Sequence, residues 1–149
     1  QNLKDRTRIL GPHHPDTLTS RNNLAETYRA AGRLDEAITL NQQTLKDRIH
    51  ILGPHHPDTL NTRNNLAGAY QAAGRLHEAI PLFEQTLKDR TRILGPHHPR
   101  TLISRNNLAR AYRVTGRTED AEKLFETPSD SEEDEQDGTE EDPDQMTGD

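Results

Sequence analysis

The sequence repeats itself every 42 residues, and this period constrains the fold more than any other feature. The pentapeptide Arg-Asn-Asn-Leu-Ala occurs at 21–25, 63–67 and 105–109. The hexapeptide Leu-Gly-Pro-His-His-Pro recurs with the same spacing, at 10–15, 52–57 and 94–99. A fixed period between about 20 and 50 residues is typical of proteins that stack one supersecondary unit. Because such a unit cannot bury its apolar face alone, we expect neighbouring units to share one core.

Each unit contains two apolar stripes with the spacing of an α-helix. In the first unit, Leu24, Ala25 and Tyr28 lie on one stripe, and Leu34 begins the other. A glycine and an arginine separate the stripes, and so short a break allows only an antiparallel helix pair. The pattern predicts an all-α protein, an α-solenoid of antiparallel helix pairs. The predicted helices lie at about 15–31, 34–52, 57–73, 76–94, 99–115 and 118–126.

The phase of the repeat divides the chain into segments. Residues 1–14 match 43–56, so we expect the chain to start in the second helix of a preceding unit and to be a piece of a longer protein. Three units follow, at 15–56, 57–98 and 99–126. The third unit is shortened, because Thr127-Pro128 interrupts its second helix. The remaining segment, 127–149, is an acidic tail.

The acidic tail separates the charge of the chain into two parts. It holds 11 of the 25 acidic residues and none of the 19 basic ones, which leaves the repeats with a net charge of +5. With almost no apolar groups to bury, the tail is expected to be disordered. It acts either as a solubilising segment or as an intramolecular competitor that lies against the basic repeats. No apolar run approaches 18 residues and no signal-peptide pattern is present, which predicts a cytoplasmic protein without a membrane partner.

The unit resembles the tetratricopeptide repeat. That family's Leu-Gly-x-x-Tyr and Ala-x-x-x-Phe pattern is matched most fully in the second unit, by Leu66, Ala67, Tyr70, Gly74, Ala79 and Phe83. The longer 42-residue form is similar to the repeats of kinesin light chain. Two positions depart from the pattern: Arg63 and its equivalents replace the usual tryptophan, and Asn41 replaces phenylalanine in the first unit. We expect Asn41 to loosen the packing around it.

The resemblance implies that the first helix of each unit lines the concave side of a superhelix, where partners bind. An asparagine recurs on that face, and its side chain offers both a donor and an acceptor to the main chain of an extended peptide. The alternative is a solvated helix face, although asparagine is a mediocre helix former and its presence favours another role. The predicted groove residues are Asn23, Asn65, Asn107, Thr19, Glu26, Asn61, Gly68, Arg110 and Arg113. The adjacent Asn22, Asn64 and Asn106 are expected in helix packing or in solvent.

These features predict a protein–protein interaction scaffold that binds a peptide or partner segment in the groove. The alternative is a structural segment of a larger signalling protein that self-assembles and binds no peptide. An array of stacked units exposes apolar surface at its ends, so end-to-end self-association is also expected. Neither a catalytic set nor a phosphate-binding loop is present, which predicts no enzymatic activity and no cofactor.

Two further classes of site are disfavoured. The repeated His-His pairs could in principle hold a metal, but no cysteine or third ligand accompanies them, and we expect one histidine of each pair to be structural. Nucleic-acid binding is disfavoured because aromatic residues make up only 3% of the chain and acidic residues interleave the arginines. Arg48, Arg90 and Arg92 are expected on solvated faces.

Overall fold

Seven α-helices and no strands make up residues 3–126, the part of the chain that the computed structural model describes. They are α1 (Leu3–Leu10), α2 (Pro15–Ala30), α3 (Leu34–Leu52), α4 (Pro57–Ala72), α5 (Leu76–Leu94), α6 (Pro99–Val114) and α7 (Thr118–Lys123). The predicted α-solenoid of antiparallel helix pairs is confirmed. The disorder predicted for the acidic tail concerns residues 127–149, which lie outside the described residues.

The linker residues set the helix ends close to the predicted positions. α3 and α5 have the predicted bounds, whereas α2, α4 and α6 end one residue earlier than expected. After α2, Gly32 adopts a φ of +77°, a conformation that a Cβ disfavours and that stops the helix. α7 ends three residues before the predicted Glu126. The amides of Phe125 and Glu126 bond to carbonyls three residues earlier, which makes a tighter turn than an α-helix.

Each second helix lies between the first helix of its own unit and that of the next unit. α3 packs against α2 and α4, and α5 packs against α4 and α6. The core between them contains Leu66, Tyr70 and Phe83, all buried. The hydroxyl of Tyr70 also bonds to Gln42 Nε2 at 2.7 Å, so a polar contact closes the edge of this core. Neighbouring units therefore cover each other's apolar faces, as the repeat predicts.

One buried position breaks the apolar pattern of the core. Asn41 stands in α3 where Phe83 stands in α5. Its side chain is fully buried, and neither Oδ1 nor Nδ2 has a hydrogen-bond partner. Asn41 is therefore shielded from solvent, although it was expected to loosen the packing around it. The substitution instead leaves polar atoms unsatisfied, which is rare in protein interiors.

An arginine closes each turn between the two helices of a unit. The guanidinium groups of Arg33, Arg75 and Arg117 lie 4.7, 4.8 and 4.4 Å from the ring centroids of the tyrosines five residues earlier. Each arginine also pairs with a carboxylate three residues later. The turn thus combines a cation–π contact with an ion pair, an arrangement that the repeat pattern did not predict.

The second histidine of each His-His pair caps the helix that follows it. Nδ1 of His14, His56 and His98 accepts a hydrogen bond from the backbone N–H two residues later, at 3.1 Å in each case. The bond satisfies one of the free amides of the first turn, the role that serine or asparagine often fills. One histidine of each pair is therefore structural, as expected. α6 begins at Pro99 like its counterparts, although Arg100 replaces their aspartate.

Replacing His56 with alanine should lower the free energy of unfolding by about 1 kcal/mol, the usual effect of losing an N-cap. His56→Asn should retain most of the stability, because asparagine is a preferred N-cap residue. His55→Ala is the matched control, since His55 is exposed and makes no cap. Urea unfolding followed by circular dichroism measures all three variants. Equal losses for His55→Ala and His56→Ala would contradict the capping role.

Candidate functional site

A cleft of about 320 Å³ lies along the first helices of the three units. Nine of its ten lining residues belong to α2, α4 and α6, and Phe83 of α5 is the tenth. The lining residues are Glu26, Arg29, Asn64, Asn65, Gly68, Gln71, Ala72, Phe83, Asn107 and Arg110. The cleft therefore needs all three units to form.

Five of the nine predicted groove residues line this cleft. They are Glu26, Asn65, Gly68, Asn107 and Arg110. The other four do not line it. Asn23 and Arg113 are exposed elsewhere on their helices. Thr19 accepts a hydrogen bond from Arg48, and Asn61 accepts hydrogen bonds from two arginines.

Three more residues line the cleft that the sequence pattern did not predict: Arg29, Gln71 and Phe83. Arg29 and Gln71 stand one helical turn after Glu26 and Gly68, so helical spacing could have identified them. Phe83 had no such signal, because it belongs to a second helix and was identified only as part of the repeat pattern. Its side chain is 2% exposed and still borders the cleft.

Asparagine side chains connect the first helices of adjacent units. Asn65 Nδ2 donates to Asn22 Oδ1 at 3.2 Å, and Asn107 Nδ2 donates to Asn64 Oδ1 at 3.4 Å. Each bond fixes the orientation of the donor carboxamide. Among the described residues, Oδ1 of Asn65 and of Asn107 accepts no hydrogen bond. Both units thus present an oriented acceptor at the wall of the cleft.

The two ends of the cleft differ in the polar groups that they offer. Glu26 Oε2 pairs with Arg29 at 2.9 Å, while Glu26 Oε1 is buried without a hydrogen-bond partner. Arg110 stands at the same repeat position two units later, is exposed, and makes no ion pair with any residue of 3–126. A carboxylate acceptor and a free guanidinium therefore border the same cleft.

Two buried arginines hold the first helices at a fixed spacing. Arg90 donates to Asn61 Oδ1 of α4 and to Ser104 Oγ of α6, both at 2.8 Å. Arg48 makes the equivalent bonds to Thr19 and Thr62. The expectation that Arg48 and Arg90 lie on solvated faces is wrong: they are 5% and 4% exposed. Burial lowers the pKa of both guanidinium groups. Their hydrogen bonds go to neutral acceptors and do not offset this lowering.

Residues 3–126 contain no group of three His, Asp or Glu side chains that could hold a metal ion. The helices of this same region are all too short or too polar to cross a membrane.

Two sequence models of the tetratricopeptide repeat match the chain, one at residues 47–90 and 58–127 and the other at 17–58. A Podosopora anserina protein described as a kinesin light chain, with nearly identical TPR-like repeats, has a solved structure with 35% identity and a TM-score of 0.76. The match covers 82% of this chain and 58% of that one.

Two further relatives are similar over smaller parts. BtubC (BKLC) from P. vanneervenii has the same fold, with a TM-score of 0.75 and 21% identity over 83% of this chain and 49% of its own. Protein KINESIN LIGHT CHAIN-RELATED 2 of Arabidopsis thaliana is 63% identical over 30 residues, which are 20% of this chain and 4% of that protein. The chain thus spans about half the length of the solved relatives and a small part of the plant protein.

Proposed function

Because the chain belongs to the tetratricopeptide repeat family, we propose that it binds an extended segment of a protein partner in the cleft along α2, α4 and α6. Repeats of this family form protein-interaction scaffolds, and the chain is such a scaffold. The observation that carries the finer proposal is the pair of oriented carboxamides, Asn65 and Asn107, in one cleft.

Main-chain recognition explains the asparagines. Each carboxamide uses one N–H hydrogen on the neighbouring unit and keeps an acceptor and a second donor hydrogen for a ligand. An extended peptide offers N–H and C=O groups at a regular spacing, whatever its side chains are. The inter-unit bonds also orient the carboxamides before a ligand arrives, so less conformational entropy is lost on binding.

The charges of the cleft give the peptide a direction. Glu26 Oε1 needs a hydrogen-bond donor, which a lysine, an arginine or a peptide N–H can supply. Arg110 can form a bidentate contact with a carboxylate two units away. Phe83 is buried and only borders the cleft, so the two polar ends carry the preference. The preferred ligand therefore presents a hydrogen-bond donor to Glu26 and an acidic residue to Arg110.

Loss of the two cleft carboxamides tests this proposal. The probe is a phage-displayed library of random 12-residue peptides selected on the full chain, and the enriched peptides are then synthesised with a fluorophore. The double variant Asn65→Ala, Asn107→Ala should bind these peptides at least about tenfold more weakly in fluorescence anisotropy, since it lacks two hydrogen bonds worth roughly 1 kcal/mol each. Asn106→Ala is the control, because Asn106 is exposed beside Asn107 and does not line the cleft.

Stability is measured on the same variants. The double variant also loses two inter-unit bonds, so its free energy of unfolding should fall by only about 1–3 kcal/mol and the helical content should stay constant. A selection that enriches no peptide, or enriched peptides that bind the double variant as tightly as the unchanged chain, would overturn the proposal. Cytoplasmic location, the lack of catalysis and the lack of a nucleic-acid partner stay predictions.

A further inference from the structure

The second helices expose an isoleucine at the same place in successive units. Ile51 of α3 and Ile93 of α5 occupy equivalent repeat positions, and they are 42% and 40% exposed. α5 packs against α4 and α6, so the exposure of Ile93 belongs to an inner unit of the array. Isoleucine is a weaker helix former than leucine, and neither side chain gains full burial. Helix formation and core packing therefore explain these isoleucines only in part.

A pair of basic side chains stands beside each isoleucine, one turn apart on the same helix face. The pairs are Lys46 with His50 in α3 and Lys88 with Arg92 in α5, and all four residues are exposed. The helix dipole favours a cation in the last turn, which accounts for Arg92, but a second cation one turn earlier repels it. Neither lysine makes an ion pair or a hydrogen bond within residues 3–126.

The acidic residues of these two helix ends are already paired with arginines of the first helices. Asp47 Oδ2 lies 2.7 Å from Nη1 of Arg21, and Asp89 Oδ2 lies 2.7 Å from Nη1 of Arg63. Arg92 is 3.9 Å from the other oxygen of Asp89 and keeps 59% of its side chain exposed. The outward-facing cations therefore have little negative charge beside them to compensate their own.

A cleft of about 350 Å³ opens beside the basic pair of α3. Its exposed lining is mostly apolar and includes Ile49 and Ile51, which are 40% and 42% exposed. The remaining lining residues are His13, Lys46, Asp47 and His50. Ligand pockets measure about 300–1,000 Å³, so a cleft of this size suits an apolar side chain of a longer segment. It shares no residue with the peptide cleft along α2, α4 and α6.

We call this surface the outer strip, and it consists of Lys46, Ile49, His50, Ile51, Lys88, Arg92 and Ile93. It has no aromatic side chain on which a nucleic-acid base could stack. Ile49 and Ile51 line a concave cleft, which the flat surface of a bilayer does not fill. A protein segment, in contrast, can place an apolar side chain in the cleft and carboxylates beside the lysines. The shape and charge of the strip therefore favour a protein ligand.

We propose that the outer strip is a second protein-binding surface, which takes an acidic partner segment that carries an aliphatic side chain. The aliphatic side chain enters the cleft beside Ile51, and the carboxylates of the segment pair with Lys46, Lys88 and Arg92. Because the strip and the peptide cleft lie on different helices, the chain can hold both ligands at once. The proposal is independent of peptide binding in the cleft.

Peptide selection against a charge-reversed strip tests the proposal. A phage-displayed random peptide library is selected on the full chain and depleted on the variant Lys46→Glu, Lys88→Glu, whose fold is checked by circular dichroism. The enriched peptides should be rich in aspartate and glutamate and should carry leucine, isoleucine or valine. In fluorescence anisotropy they should bind the depletion variant at least about tenfold more weakly, because each reversal places like charges together. Added salt should also weaken their binding to the unchanged chain.

Single variants locate the bound peptides. Ile51→Ser should weaken binding about fivefold or more, because the aliphatic side chain then loses its apolar contact. Val114→Ser is the matched control, since Val114 is 64% exposed on α6 and lies outside the strip. Lys123→Glu repeats the charge change on the exposed face of α7 and should bind like the unchanged chain. The double variant Asn65→Ala, Asn107→Ala should also bind these peptides normally, which separates the strip from the peptide cleft.

The opposite results would overturn the proposal. They are a selection that enriches no peptide, enriched peptides without an acidic excess, or acidic peptides that bind Ile51→Ser and the lysine variant as tightly as the unchanged chain. Acidic peptides that lose affinity only in Asn65→Ala, Asn107→Ala would belong to the peptide cleft. Vesicles of phosphatidylcholine and phosphatidylserine are the competing probe. Sedimentation with these vesicles that requires Lys46 and Lys88, without any acidic peptide that does, would make the strip a membrane contact instead.

Discussion

Asn41→Leu should raise the free energy of unfolding by about 2 kcal/mol. The carboxamide is fully buried, and neither of its polar atoms has a hydrogen-bond partner. Leaving such a group unsatisfied in the interior costs roughly 1–3 kcal/mol. Leucine branches at the same carbon as asparagine, so the change removes the polar atoms and keeps the side-chain outline. Phe83 at the equivalent position in α5 is 2% exposed, which shows that the unit accepts an apolar side chain there.

Thermal melting followed by circular dichroism measures this gain. For a chain of this size, about 2 kcal/mol corresponds to a rise in Tm of about 4–8 °C. Gln43→Leu is the matched control, because Gln43 is exposed two residues away and should gain nothing. The reverse change, Phe83→Asn, should cost about 3–5 kcal/mol, the range for losing a buried aromatic side chain. A Tm that stays constant or falls in Asn41→Leu would show that the carboxamide is satisfied in solution.

The helix bounds could be predicted because the residues that begin and end helices are recognisable in the sequence. Gly32 ends a helix because it alone adopts the positive φ at low cost, and Pro57 begins one because its missing N–H is not needed there. Three copies of the same pattern then fixed the period and the fold. The early end of α7 was the largest error in the helix bounds, because the tighter turn that follows it depends on packing that the local pattern does not report.

The buried arginines could not be predicted, because their surroundings come from other units. Within its own helix, Arg48 resembles a solvated cation. Its partners Thr19 and Thr62 belong to the first helices on either side, and only the stacking of the units brings them together. The lining of the cleft could be predicted only in part, for the same reason. Asn65 was identified from its helix face, whereas Asn61 on that face contacts Arg90 and Arg100 and does not line the cleft.

Asp89→Ala should lower the free energy of unfolding by about 3–5 kcal/mol. Arg63 stands where the family has tryptophan, and its Nη1 lies 2.7 Å from Asp89 Oδ2. The two side chains are only 10% and 6% exposed, so removing the aspartate leaves a buried cation without its counter-charge. The ion pair therefore links α4 to α5.

The equivalent ion pair of the first unit is more exposed and shows how the effect should depend on burial. Asp47 makes the same pair with Arg21 at 2.7 Å, but its side chain is 25% exposed. Arg21 itself is 12% exposed, close to the 10% of Arg63, but removing the more exposed Asp47 opens the guanidinium to water. The loss should therefore be smaller, about 1–2 kcal/mol. Replacing both Arg63 and Asp89 with methionine should recover most of the stability lost in Asp89→Ala, because no unpaired charge stays buried. Urea unfolding that gives equal losses for Asp47→Ala and Asp89→Ala, or no recovery in the double variant, would contradict a burial-dependent role for the pair.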